Sequence, residues 1–419
     1  MSDGSLRSIE HAFPLQNLEL EQTKIYWSRQ EGAKLPTVIT GFRDPGGANA
    51  HLPVIARLLD KANVCVLTDS RGQQQLEQSG LDLRRDKFEG SALLAASQAL
   101  TLADVVLTGL SDNLGTELLL MANSQWDNLN GVVQRPLIIG LEDYPGANAR
   151  WYFGNKKVPS WIVPDYLCVV NEWSKDEELK FLPQGFDPER VVITGQPSFD
   201  RLAKEDRVKI RRDVRQKLEI GESDIFVTYM GTVTTGDPIG ETAKTLQTLV
   251  PILKSVDPKI RLALRAHPRD MTDPEVYNQA FRPMKDMRVD TTGLTTDQVG
   301  IASDLVISNG STTGVDAVYR GIPSVNVFLA PNNYFSQQPQ SHQEVLDKFP
   351  LPTVEDGASP LAINSQELGN ILDKIFNEQS YVTKLKQKMA GWKVDGRATD
   401  RVTDLVLNIA NEHFLKSIK

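Results

Sequence analysis

The 419-residue sequence holds only two cysteines, Cys65 and Cys168, both inside apolar runs. That excludes a disulfide framework and fits a reducing compartment. No uninterrupted apolar stretch approaches the roughly 20 residues needed to span a bilayer. Residues 1–10 also lack the basic-then-apolar order of a signal peptide. These absences together predict a cytoplasmic protein without a transmembrane segment. There is no basic excess either: 46 Lys and Arg against 54 Asp and Glu leave a net charge of −8, which excludes a surface that coats nucleic acid. Neither a Gly-x-Gly-x-x-Gly fingerprint nor a Walker loop occurs. No Asp-x-Asp is present to clamp a divalent ion on a nucleotide diphosphate, and no Cys/His cluster has metal-ligand spacing, so no metal is expected.

What remains is a soluble globular composition, 40% hydrophobic and 24% charged. The length suits two domains, each able to bury its own core. Residues 1–35 read as a polar extension with one short helix near Leu18–Tyr26. A run of β-branched strands then alternates with helices: Pro36–Thr40, Asn63–Leu67, Asp104–Thr108, Pro136–Gly140, Tyr166–Val170 and Arg190–Thr194. Most end in Gly, Ser, Thr or Asp, the pattern of a parallel α/β sheet. The charged helix Arg201–Lys217 reads as a connector. Beyond Gly221 the pattern restarts with Ile225–Tyr229, Ile260–Arg265, Asp304–Ser308 and Ser324–Phe328, then a helical tail from Gln366 interrupted near Gly391–Gly396. The division this predicts is an extension at 1–35, a Rossmann-like domain at 36–205, a linker helix at 206–220, a second Rossmann-like domain at 221–390 and a helical tail at 391–419. Two such sheets are expected to face a cleft, with ligands outside the carboxyl ends of the strands.

Four loops carry chemistry. Gly41-Phe-Arg-Asp-Pro-Gly-Gly47 lies between a strand and a helix, so Arg43, Gly46 and Gly47 could meet an anion at the helix start; an ordinary turn is the plainer alternative. Asn309-Gly-Ser-Thr-Thr-Gly314 leaves a strand and enters a helix bearing Asp316. Asn309, Gly310, Ser311, Thr312 and Thr313 exceed what a simple N-cap needs and suit a diphosphate or a ribose. Arg265-Ala-His267-Pro-Arg269 follows another strand and puts a directed histidine among arginines. His11 and His413 read as surface residues. Leu141-Glu142-Asp143-Tyr-Pro-Gly146 places two carboxylates at the mouth of the first sheet, either as a general base or as an acidic turn. Glu142 is expected to project into the cleft, partly buried and with a raised pKa.

In their order these motifs resemble the GT-B superfamily, in particular the branch of the non-hydrolysing UDP-N-acetylglucosamine 2-epimerases and related transferases. The likeness runs from about Pro36 to Ala410. Gly41-Phe-Arg-Asp-Pro is similar to the family's opening Gly-Thr-Arg-Pro-Glu, Ile139-Gly-Leu-Glu142 to its His-Val-Glu-Ala-Gly segment, and Thr194-Gly-Gln-Pro-Ser-Phe-Asp200 to Thr-Gly-Asn-Pro-x-x-Asp. Arg265-Ala-His267-Pro stands at the His-Pro segment, Asn309–Asp316 at Ser-Gly-Gly-x-x-Glu-Glu, and Gly396-Arg-Ala-Thr-Asp-Arg401 at the C-terminal Gly-x-Ala-x-x-Arg. The departures bear on activity. The family's Gly-Asp-Thr is replaced by Gly109-Leu-Ser-Asp112, and Lys157–Trp161 occupies the Pro-Glu-Glu stretch. Met230-Gly-Thr-Val-Thr-Thr-Gly236 replaces Arg-x-Glu-Asn and looks like a glycosyltransferase donor loop.

The resemblance implies a metal-independent glycosyltransferase that takes a nucleotide sugar, a UDP-sugar being favoured, as substrate rather than cofactor. Gly231, Thr232, Thr234, Arg265 and Asn309–Thr313 with Asp316 would bind the nucleotide, and Glu142, Asp143 and His267 would be the catalytic groups. The acceptor is unspecified, and a homodimer is compatible with this reading. A 2-epimerase with altered acid/base groups is the alternative. A non-catalytic scaffold is the third reading, kept open by the polar insertion Pro331–Gln343.

Overall fold

The computed structural model describes residues 24–28, 34–42, 45–68, 70–86, 99–109, 135–146, 163–231, 241–257, 259–266, 274–281, 288–289, 293–331, 335–349, 351–392 and 394–417. The chain divides into two compact units, residues 1–203 with 394–419, and residues 204–393.

The first unit contains an eight-stranded sheet in the order β4-β1-β3-β2-β5-β6-β7-β8. Its strands are β1 (Lys24–Ser28), β2 (Thr37–Phe42), β3 (Asn63–Thr68), β4 (Arg84–Asp86), β5 (Val105–Gly109), β6 (Leu137–Leu141), β7 (Tyr166–Val169) and β8 (Val191–Ile193). From β3 to β8 neighbouring strands are parallel, whereas β1 runs antiparallel to both β3 and β4. The helix expected near Leu18–Tyr26 is therefore not found over Lys24–Tyr26. Ile25 and Tyr26 are buried as strand residues between β3 and β4, the outcome favoured when β-branched and aromatic side chains can pair with neighbouring strands. Helices α1 (Pro45–Leu58), α2 (Ser70–Gln78) and α3 (Glu172–Phe181) follow β2, β3 and β7. Val54, Ile55 and Leu58 of α1 pack with Val38, Val64, Val105 and Ile139 into one core. Strands buried on both faces explain the near-continuous apolar runs of the sequence.

The second unit opens with α4 (Arg207–Lys217), the charged helix expected as a connector. It is built into this unit: Arg211 and Arg215 bind the carboxylate of Asp304, and Arg215 also donates to the carbonyls of Gly221 and Asp224. Six parallel strands follow in the order β11-β10-β9-β12-β13-β14: β9 (Ile225–Met230), β10 (Ile260–Arg265), β11 (Arg288–Val289), β12 (Leu305–Ser308), β13 (Ser324–Val327) and β14 (Leu361–Ala362). Its longer helices are α5 (Glu241–Val256), α6 (Pro274–Phe281), α7 (Thr296–Ala302), α8 (Thr312–Tyr319), α9 (His342–Lys348), α10 (Ser365–Asn377) and α11 (Gln379–Met389). Leu246, Leu249 and Leu253 of α5 and Leu368 and Leu372 of α10 seal one core with Val227, Tyr229, Leu262, Leu305 and Val325. Strand order runs outward from β9 to β11 and then resumes at β12 on the other side of β9, so β9 and β12 flank a topological switch point.

The last helix, α12 (Ala398–Ser417), belongs to the first unit. Val402, Val406 and Ile409 enter that unit's core. Asp200 caps it, its two carboxylate oxygens accepting the N–H groups of Ala398 at 2.9 Å and Thr399 at 2.8 Å. His413, expected at the surface, is largely buried: Nδ1 lies 3.1 Å from Asp104 Oδ1, and Nε2 lies 3.0 Å from the carbonyl oxygen of Arg135. Among the described residues no helix is long and apolar enough to cross a membrane.

Candidate functional site

In the first unit, Gly46 and Gly47 occupy the first turn of α1, which begins at Pro45, four residues earlier than the expected start at Asn49. His51, fully buried one turn later, places Nδ1 2.8 Å from the carbonyl oxygen of Gly47. Arg43 lies outside the described residues.

Glu142 follows β6 directly and is 1% exposed, more deeply buried than the partial burial expected. Its Oε1 accepts the N–H of Gly146 at 2.5 Å and its Oε2 accepts the N–H of Val170 at 2.8 Å. Both oxygens thus turn back onto the backbone and hold the loop after β6 against the end of β7. Burial penalises the charged form and pushes the carboxyl up to about 8, although the Val170 and Gly146 N–H groups pull the other way. The loop has little room for alternatives. Gly146 has φ +65, and a Cβ there would stand 2.4 Å from the Trp173 ring. Asp143 is half-buried beside it. Gln196, itself buried, donates its amide to the carbonyls of Glu142 at 3.0 Å and Asp143 at 2.9 Å, fixing the backbone of both acids.

In the second unit the loops leaving β9 and β12 emerge side by side, because Met230 pairs with Ser308 in register. Gly231 donates its N–H to the carbonyl of Arg265 at the end of β10, 2.9 Å away. The Arg265 guanidinium donates through Nε to Thr296 Oγ1, at 3.3 Å, on the first turn of α7. Thr232, Thr234, His267 and Arg269 lie outside the described residues.

After β12 the chain turns at Gly310, whose φ is +59; a Cβ there would meet the Phe349 ring at 2.7 Å, so conformation and space both require glycine. Ser311 then caps α8: its Oγ accepts the N–H of Thr313 at 3.3 Å and the Thr313 hydroxyl at 2.9 Å. The cap accounts for Ser311 and Thr313. It does not account for Thr312, which is exposed at the helix start. At Gly314 a Cβ would fall 2.4 Å from Ser308 Oγ, so the missing side chain lets α8 lie close on β12. Asn309 is buried, and its amide donates to the carboxylate of Glu241 at the head of α5.

Asp316 faces Arg320 one turn on, 3.8 Å away. Arg320 is buried and also binds Glu205 at 2.8 Å and Asp297 at 2.8 Å, so three carboxylates surround one guanidinium. Beside this cluster a pocket of about 10 Å³, lined by Thr296, Asp297, Thr313, Asp316 and Arg320 among others, has room for a single water. Glu241, Gln196, Thr296 and Arg320 carry polar contacts at these loops that sequence reasoning did not single out. Gln196 lies within the Thr-Gly-Gln-Pro segment and Glu241 just past the glycine-rich loop, which is the only local sign of either.

No family model and no curated protein sequence matches this chain. Solved structures do match in fold. S. aureus MnaA with UDP aligns over 88% of this chain and 95% of its own at 14% identity, with a TM-score of 0.58. UDP-GlcNAc 2-epimerase from Neisseria meningitidis bound to UDP-GlcNAc aligns over 89% of this chain and 100% of its own at 16% identity, with a TM-score of 0.55. A further UDP-N-acetylglucosamine 2-epimerase aligns over 90% and 96% at 15% identity, with a TM-score of 0.56. The protein therefore has a GT-B-type fold, with two α/β units built on parallel strands, as the motif order implied. At this identity the likeness speaks for fold.

Proposed function

We propose that this protein is a metal-independent, GT-B-like glycosyltransferase acting on a nucleotide-activated sugar, with a UDP-sugar as the favoured donor. The observation that carries the reading is the turn Asn309–Thr313. It leaves the sheet at the β9/β12 switch point, where open α/β sheets take ligands, and leads directly into the start of α8, where Ser311 takes up the N–H groups of Thr313 and Gly314 and Thr312 stands exposed. On this reading Gly310–Thr312 hold the diphosphate, and Gly231, Thr232 and Thr234 flank it. Arg265 and His267 stabilise the charge that develops as the bond from the anomeric carbon to the diphosphate oxygen breaks. Asp316, tied to Arg320, helps shape the neighbouring pocket.

The first unit would hold the acceptor, with Gly46 and Gly47 in the first turn of α1 and Arg43 just before it in sequence. Asp143 takes the acceptor hydroxyl's proton as the new glycosidic bond forms. Asp143 is preferred over Glu142 because both Glu142 oxygens already accept backbone N–H groups and are closed to solvent. The same fact supports transfer over epimerisation, since elimination and re-addition need several acid/base groups around the sugar. A nucleotide-sugar 2-epimerase is the second reading, favoured by the fold likeness to UDP-GlcNAc 2-epimerases. Calorimetry with UDP, GDP, CDP and dTDP tests the common ground: binding of at least one is expected, and binding of none refutes both readings. Solvent deuterium entering C2 of a UDP-sugar with no acceptor present would select the epimerase.

A further inference from the structure

The hydrogen bond from Asn309 to Glu241 ties the turn after β12 to the head of α5 at the switch point of the second sheet. Asn309 is the residue just before the left-handed Gly310, and Glu241 is the first residue of the 16-residue helix α5. Both side chains are buried, at 6% and 5% exposure, so the bond is shielded from competing water. A carboxylate acceptor also makes it charge-assisted and directional. Its direction has a consequence for Asn309. With the amide nitrogen committed to Glu241, the orientation of the side chain is set, and with it the backbone entering Gly310. The Phe349 ring lies against Gly310, where a Cβ would stand 2.7 Å from it, so the turn has a second constraint.

We propose that Glu241 is a positioning residue that acts through Asn309: it presets the Gly310–Thr312 turn so that its N–H groups meet a nucleoside diphosphate without rearrangement. The inference rests on the reading of that turn as the diphosphate site. Glu241 does not touch the ligand. Its contribution is preorganisation, which removes an ordering cost that binding would otherwise bear.

The test is a double-mutant cycle in UDP affinity by calorimetry on the full-length chain, using Glu241→Ala, Asn309→Ala, the double variant and Glu241→Gln. Glu241→Ala and Asn309→Ala should each weaken UDP binding by about tenfold or more, the scale of a lost charge-assisted hydrogen bond. The double variant should be no weaker than the worse single one. Glu241→Gln keeps a carbonyl acceptor for the Asn309 amide and should recover most of the affinity. Urea unfolding of each variant separates folding from binding, and Glu241→Gln keeps the question answerable if Glu241→Ala does not fold. Losses that multiply, or wild-type affinity in Glu241→Ala, overturn the proposal and leave the diphosphate site standing. If the wild-type protein binds none of UDP, GDP, CDP and dTDP, the diphosphate reading falls and this proposal falls with it.

Discussion

Replacing Glu142 by glutamine would separate a structural carboxylate from a catalytic one. The native side chain offers an acceptor to each of two backbone donors, Gly146 N–H and Val170 N–H. Glutamine offers one carbonyl oxygen and one NH2, so one of the two buried N–H groups must face another donor. An unsatisfied buried donor costs about 1–3 kcal/mol. The pH dependence runs in the opposite sense. Burial raises the folded-state pKa of Glu142 from 4.5 to about 8. The folded protein therefore prefers the neutral acid: the stability this preference contributes is complete below pH 4.5 and is lost as pH rises through 8. Across that window the preference amounts to several kcal/mol. Glutamine does not titrate, so the variant should be less stable than wild type near pH 5 and equal or more stable near pH 9. Hydrogen exchange of the segments containing Gly146 and Val170, corrected for intrinsic rates, reads this locally. Parallel stability curves, with no convergence between pH 5 and 9, would refute the clamp. A turnover loss of about a hundredfold or more at matched stability would instead make Glu142 the base.

Three further outcomes are expected. Gly310→Ala must place a Cβ at φ +59 and 2.7 Å from the Phe349 ring; the left-handed conformation alone costs about 1–2 kcal/mol, so urea unfolding should shift to lower concentration and UDP binding should weaken together. Arg320→Ala leaves Glu205, Asp297 and Asp316 around a missing cation, and the second unit should lose about 3–5 kcal/mol in denaturant titration, whereas an unchanged midpoint would show the cluster to be dispensable. On the transferase reading, turnover of a nucleotide sugar should survive EDTA, and its loss to EDTA with recovery in magnesium or manganese would show that a divalent ion is required.

Much of the architecture was legible because parallel strands buried on both faces have to be apolar throughout: Val105, Val106 and Leu107 announce β5 without help from any other segment. The turn at Gly310 was legible for a similar local reason, since glycine and hydroxyl residues between a strand and a helix have few other uses. What could not be read depends on distant partners. Glu142 stands at a strand end as expected, but the direction of its carboxylate is set by Val170, 28 residues on. His413 looked like a tail residue because Asp104, which receives it, lies 309 residues earlier. Lys24–Ser28 has a strand's composition only in retrospect, because its pairing with β3 reaches forward about 40 residues.

The first unit is interrupted by the second. Its chain leaves after Ala203 and resumes at Val394, and the two crossing points lie together: a Cβ on Gly396 would stand 3.0 Å from that of Ala203. Residues 204–393 are in effect a domain inserted into a surface bend of another. This orders events on the ribosome. The second unit is contiguous and can complete its core as soon as it is synthesised, whereas the core of the first must wait for Val402, Val406 and Ile409, which are made only after all of residues 204–393.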